Sequence, residues 1–273
     1  MIQLMITDLD GTLLTHDKKV RLEEKRAIRE AALQGVRFGM ASGRMHPEMA
    51  VIARDIGIPM HIVSQNGAFV HTSEGKQLRE TFFMPETVRQ IMRIGAKFDL
   101  LSVVCAFDRN IVAAWDERAE RKQERMSIKL SFEPDVLERL GGGVDCSKIT
   151  FFGPIDLLLQ LQTDIRNAMG HETDTFISDA DCLDVMPRGI SKGSGLGILM
   201  EHLGLEPEQV VCIGDSFNDV PMFRAVSHSF AMPGSHPDVR RYARYNANSV
   251  SHAIEWLLSF NRKRKIAGFP GGD

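Results

Sequence analysis

Met1-Ile2-Gln3-Leu4-Met5-Ile6-Thr7-Asp8-Leu9-Asp10-Gly11-Thr12 opens the chain. Apart from Gln3, residues 1–6 are apolar and read as a buried strand. Two aspartates one residue apart follow, then a glycine. Carboxylates held close together repel, so a site that keeps both ionised needs a cation to offset their charge. The stretch therefore reads as a strand that delivers metal-assisted chemistry at its carboxyl end.

The same pattern recurs further along. A helix-like segment over 22–34 leads to an apolar run over 36–40 that ends in Ala41-Ser42-Gly43-Arg44. Another helix-like stretch leads to 61–63 and then Ser64-Gln65-Asn66-Gly67. Residues 210–213 end in Gly214-Asp215-Ser216-Phe217-Asn218-Asp219. Strands separated by helical segments indicate βαβ units, and strands that are apolar throughout are covered on both faces. The expected fold class is α/β, a doubly wound parallel sheet. Ligands of such sheets bind beyond the carboxyl ends of the strands, so the clusters at 8–12, 42–44 and 214–219 are expected to converge.

The middle of the chain has another texture. Residues 86–98 and 155–169 have helical periodicity, 101–107 and 110–115 read as a hairpin, and 148–152 reads as a strand. Residues 116–125 mix acids and bases as a solvated helix face does, and Gly141-Gly142-Gly143 reads as a flexible joint. We expect an inserted α+β module over 82–185, hinged at Met84-Pro85 and Met186-Pro187-Arg188-Gly189, with a core built from 1–81 and 186–273. A length of 273 residues suits one large domain plus a smaller one.

Composition excludes some functions. A net charge of -3 offers no basic footprint for nucleic acid. No apolar stretch approaches membrane-spanning length, and Asp8 and Asp10 interrupt any signal-peptide core. Cys105, Cys146, Cys182 and Cys212 are dispersed without zinc spacing, so a reduced, cytoplasmic setting is expected. The basic, then breaker-rich tail from Arg262 to Gly272 is expected to be disordered.

The converging clusters define a chemistry. Asp8, Asp10 and Asp215 supply oxygen donors, which suit Mg2+. Ser42 brings a hydroxyl, Gly43 an open backbone N–H, Lys192 a point charge and Asn218 an amide. Together these form a phosphoryl-transfer inventory. Each residue alone has an ordinary alternative: a turn aspartate, a helix cap at Ser42, a surface lysine at 192. The joint pattern outweighs them. Gly189-Ile190-Ser191-Lys192-Gly193-Ser194 is not a P-loop, because Ser191 stands where the glycine before the lysine belongs.

These four pieces resemble the four motifs of the haloacid dehalogenase superfamily of phosphotransferases. Asp8-Leu9-Asp10-Gly11-Thr12 matches the first motif, Ser42 the second, Lys192 in Ser191-Lys192-Gly193 the third, and Gly214 to Asp219 the fourth. The insertion between the second and third motifs, and Ser64-Gln65-Asn66-Gly67-Ala68, resemble the Cof-type, type IIB members. The resemblance implies a Rossmann-like core with an inserted C2B-type cap. It implies a Mg2+-dependent phosphatase of small phosphorylated metabolites, sugar phosphates foremost. It further implies that Asp8 is the nucleophile, Asp10 the acid and then the base, and that Mg2+ is held by the Asp8 carboxylate, the Asp10 carbonyl and the Asp215 carboxylate. Lys192, Ser42, Asn218 and the backbone amides of Leu9 and Gly43 would bind the phosphate. Thr12 and Asp219 would support these groups from behind. Arg44 and Arg188 are candidates to meet a substrate anion, with structural salt bridges as the alternative. Val220-Pro221 and Asn246-Ala247-Asn248-Ser249-Val250 depart from the commonest family wording. The rival readings are a phosphomutase of the phosphomannomutase type and a non-catalytic phosphometabolite-binding protein.

Overall fold

A computed structural model of the chain describes residues 1–124 and 129–267. In chain order its strands are β1 (Leu4–Thr7), β2 (Arg37–Ala41), β3 (His61–Ser64), β4 (Phe69–His71), β5 (Gln77–Glu80), β6 (Leu101–Cys105) and β7 (Asn110–Val112). They continue as β8 (Leu130–Phe132), β9 (Lys148–Phe152), β10 (Thr173–Asp179), β11 (Cys182–Pro187), β12 (Val210–Gly214), β13 (His228–Ala231) and β14 (Tyr245–Asn246). They form an eight-stranded sheet, ordered β14-β13-β12-β1-β2-β3-β4-β5, and a six-stranded sheet, ordered β10-β11-β9-β6-β7-β8.

The opening strand sits in the middle of the larger sheet. All four residues of β1 are buried, because β12 and β2 pair with it in parallel and helices cover both faces. One apolar layer packs the helices Leu22–Leu33 and Val250–Ala267 under the sheet; the other packs Lys192–Leu203 and Val220–Ala225 above it. The expected doubly wound sheet is met, with one addition. β4 and β5 form an antiparallel hairpin on the β3 edge, turning at Gly75.

The smaller sheet is built from residues 101–187 and carries its own apolar cluster beneath Pro85–Gly95 and Ile155–Met169. Its pairing is antiparallel except between β7 and β8. The expected hairpin is present but its second strand stops at Val112. Gly141-Gly142-Gly143 is an ordered turn closed by a Leu140–Val144 bridge rather than a joint, with Gly141 donating to the Val144 carbonyl. Of the charged stretch 116–125, Glu117–Gln123 is helical with Asp116 as its N-cap; Arg125 lies outside the described residues. That helix is not a purely solvated face: it buries Ala119 and turns Lys122 into the cleft between the sheets.

At the C-terminus, Arg262-Lys263-Arg264-Lys265 belongs to the helix Val250–Ala267, correcting the expected disorder there; residues 268–273 lie outside the described residues. All four cysteines are free and buried. No described helix is long and apolar enough to cross a membrane.

Candidate active site

The carboxyl ends of β1, β2, β3 and β12 meet at one rim of the large sheet, facing the smaller sheet across a cleft of about 200 Å³. β1 ends at Thr7, so Asp8 is the first residue past the strand; its N–H is held by the Ile213 carbonyl at 2.9 Å. Leu9 points into the core, and Gly11, at φ +82, turns the chain back. A Cβ on Gly11 would stand 2.5 Å from the Asp215 carboxylate, so this turn seats the fourth cluster against the first.

Lys192 is the hub. Its helix is capped at Ser191, whose Oγ accepts from Ser194 N–H at 3.1 Å while Ser194 Oγ accepts from Ser191 N–H at 3.0 Å. Gly67, at φ +97, leaves room for the Ser191 carbonyl, with which any Cβ would collide. So placed, the buried Lys192 ammonium donates to Asp8 Oδ1 and Asp219 Oδ1, each at 2.6 Å. Asp219 Oδ2 accepts the N–H groups of Asp215 and Ser216 at 2.9 Å, and Thr12 Oγ1 donates to Asp215 Oδ1 at 2.8 Å.

Oxygen atoms of Asp8, Asp215 and Asp219 lie within 4.8 Å of one another. One lysine does not balance three carboxylates. Burial pushes the Asp8 carboxyl well up despite Lys192, with Asp219 and Asp215 repelling it further. Burial and then Asp219 push Asp215 to about 6, against the Thr12 hydrogen bond. The Lys192 ammonium is held charged, Asp219 and Asp8 overcoming the cost of its burial. A crowded all-oxygen set short of positive charge fits a hard divalent cation.

Asp10 takes a different direction. Its carboxylate is outside this cluster and faces Arg44, whose Nε and Nη2 donate to its two oxygens at 2.7 and 2.8 Å; Lys18 Nζ adds 2.8 Å. Burial raises this carboxyl, but Arg44 and then Lys18 outweigh it and hold it well below the usual carboxylate range. Arg44 also donates to Glu48 at 3.2 Å. Lys18, at the tip of a turn with φ 58, had no motif to mark it.

Ser42 is buried; its Oγ accepts from Arg44 N–H at 3.2 Å and its carbonyl from Asn66 N–H at 2.9 Å. Gly43 lines the cleft beside it. Asn218 is buried, donates Nδ2 to Asn66 Oδ1 at 3.2 Å, and leaves its buried Oδ1 without a partner among the described residues. Arg188 is the one candidate not brought in: it is exposed, pairs with Asp174 at 2.8 Å, and does not line the cleft. The far wall belongs to the smaller sheet, where Lys122 lies 3.7 Å over the Phe152 ring and 3.4 Å from Asp181. None of these residues was expected.

Acids thus stand at the central strand ends of an α/β sheet, with a second sheet over them. A family model described as haloacid dehalogenase-like hydrolase matches residues 5–254, and the chain belongs to that family. The chain is thus an enzyme of the hydrolase class expected from its motifs. An "HMP-PP phosphatase" of Serratia proteamaculans is 28% identical over 267 residues, covering 95% of this chain and 97% of the relative. One of Klebsiella pneumoniae is 25% identical over 240 residues, covering 88% and 87%. Among solved structures, a haloacid dehalogenase-like hydrolase from Bacteroides thetaiotaomicron aligns with a TM-score of 0.80 at 22% identity, over 94% of this chain and 100% of the other. One from B. subtilis aligns at 0.83 and 20%, over 94% and 100%. At such identities these structures speak for the fold alone.

Proposed function

We propose that the chain is a Mg2+-dependent phosphatase acting on small phosphorylated metabolites through an aspartyl-phosphate at Asp8. The observation that carries this reading is the convergence of Asp215, Asp219 and Lys192 on Asp8, which lines the cleft between the two sheets. The Asp8 and Asp215 carboxylates and the Asp10 carbonyl would hold the ion. When bound, Mg2+ supplies the positive charge that lets a carboxylate approach a phosphate dianion.

Asp8 attacks phosphorus and the leaving alkoxide departs with a proton from Asp10. Asp10 then takes a proton from water, whose oxygen attacks phosphorus and returns Asp8 and inorganic phosphate. Lys192 favours the ionised form of Asp8 against its burial and offsets charge on the phosphoryl oxygens, while Asp219 holds Lys192 in place. Ser42, Asn218 and the amides of Leu9 and Gly43 bind the remaining oxygens. Paired with Arg44 and Lys18, Asp10 is held ionised, so proton donation requires that both cations release it and that it take up a proton from water before the leaving group departs. A phosphate dianion entering beside them is the group able to draw both cations away.

The smaller sheet, roughly 82–185, acts in this reading as a cap whose Phe152, Lys122 and Asp181 meet the leaving group and limit water entry. The compound in the relatives' name and sugar phosphates are the first substrates to screen. The test is phosphate release across a panel of phosphometabolites, with and without Mg2+ and without any bisphosphate activator. Release from at least one monoester, dependent on Mg2+, is expected. No turnover of any compound by folded protein with the ion present contradicts the reading, and release only with a bisphosphate points to a mutase.

A further inference from the structure

The cleft contains a second buried ion pair that the proposed chemistry does not use. Lys148 on β9 and Asp184 on β11 lie side by side in the smaller sheet, Nζ to Oδ1 3.0 Å, with side chains only 9% and 2% exposed. Asp184 Oδ1 also accepts from Thr150 Oγ1 at 2.7 Å. Lys148 outweighs burial and holds the Asp184 carboxyl low, so both partners are charged. A buried ion pair is a poor source of stability, since apolar residues of similar volume commonly do as well. Its value must be sought in what it touches.

Both partners reach across to the large sheet. Lys148 Nζ donates to the Gly43 carbonyl at 2.9 Å, directly behind Ser42. Asp184 Oδ2 accepts from Asn66 Nδ2 at 2.7 Å. An ionised carboxylate only accepts hydrogen bonds, so it forces the amide of Asn66 to face it with nitrogen. Asn66 Oδ1 is thereby aimed at Asn218 and takes its Nδ2 at 3.2 Å, which fixes the Asn218 amide. Gln65 and Asn66, at φ 45 and 52, are held in the left-handed region to make this contact possible. Gln65 adds a parallel tie, donating to the Ala106 carbonyl at 2.7 Å and accepting from Ser147 Oγ.

We propose that Lys148 and Asp184 are positioning residues for phosphoryl transfer. From the smaller sheet they set the Ser42-Gly43 loop and, through Asn66, the amide of Asn218, so the phosphate site is complete only when that sheet is seated. This rests on the phosphatase reading above. The pair acts on the phosphoryl end, so it serves every leaving group alike.

The test uses full-length protein with Mg2+ and two substrates, the best monoester from the screen and acetyl phosphate, whose leaving group is minimal. Asp184→Asn removes the charge that orients Asn66 and is expected to lower kcat about 10–100-fold on both substrates, the usual loss for an outer partner of a catalytic group. Because a lone buried charge can unfold the protein, the double variant Lys148→Met, Asp184→Leu is measured beside it. It is expected to melt within a few degrees of wild type yet lose kcat to the same extent, with KM changed less than about threefold. Wild-type kcat in a folded double variant overturns the inference and leaves the phosphatase reading intact. A loss confined to the larger substrate also overturns it, because the pair would then contact the leaving group. Absence of phosphate release by wild type removes both.

Discussion

Replacing Asp215 with asparagine should make the metal-free protein more stable while destroying its activity. Asp215 is pushed from its usual 3.8 to about 6 by burial and the nearby Asp219 carboxylate. Without a bound cation, keeping it ionised in the folded protein therefore costs up to about 3 kcal/mol near neutral pH, at roughly 1.4 kcal/mol per tenfold change in proton affinity. Asparagine keeps an oxygen for the Thr12 hydroxyl, which now donates at 2.8 Å, so little else is lost. In EDTA at pH 7.5 we expect Asp215→Asn to raise stability by about 1–3 kcal/mol, a Tm gain of roughly 2–6 °C for a chain of this size. The pH dependence has a definite sign. The folded-state value lies above the unfolded one, so the penalty in wild type is fully present above about 6 and vanishes below 3.8. The variant's advantage should fade as pH falls from 7 to 4. Adding Mg2+ should raise the wild-type Tm by mass action and leave the variant nearly unmoved. Scanning calorimetry with and without EDTA checks each point. A variant less stable than wild type in EDTA, or one with an undiminished Mg2+ response, refutes the claim that Asp215 belongs to an undercompensated cation site.

Further outcomes follow from the same geometry. Asp10→Asn removes the acid and base while sparing the nucleophile; kcat should fall about 10²–10⁴-fold, read by steady-state phosphate release. Gly67→Ala places a Cβ against the Ser191 carbonyl at φ +97; urea unfolding should show a loss above about 2 kcal/mol and kcat should fall as Lys192 shifts. A loss under 1 kcal/mol contradicts that close approach. Phe152→Ala, which removes the ring under Lys122, should raise KM about tenfold for the preferred monoester and leave acetyl phosphate unaffected. An equal effect on both substrates places the leaving group elsewhere.

The rim of the large sheet was legible because each of its strands is short, apolar and followed at once by the residues that matter. Parallel strands carry such ends to one edge whatever the sequence distance, which is how Asp8 and Asp215 meet. The second sheet hid its functional residues for the opposite reason. Lys148, Thr150 and Phe152 alternate along β9, and Asp184 stands alone in Cys182-Leu183-Asp184-Val185-Met186; neither strand resembles a motif. A lone charge inside an apolar strand was the available signal, since such a group has to find a partner or not be buried. Its partner lies 36 positions away, across a strand pairing that local pattern does not specify. Arg44 was marked only as a weak candidate because its adjacency to Ser42 does not reveal that its guanidinium turns back onto Asp10. Lys122 was hidden within a run of acids and bases that reads as solvent-facing, yet it is only 19% exposed. The β4–β5 hairpin escaped because its strands are three and four residues long, too short for periodicity to register.

The central claim is that Asp8 carries the phosphoryl group between substrate and water. Borohydride reduces an acyl phosphate to an alcohol, so acid-quenched turnover followed by reduction converts a phosphorylated aspartate into homoserine. Peptide mass spectrometry of Mg2+-loaded protein quenched during turnover should find homoserine at position 8, and Asp8→Asn should yield neither homoserine nor phosphate. Phosphate release at a normal rate with position 8 unmodified, or from Asp8→Asn, would contradict the account.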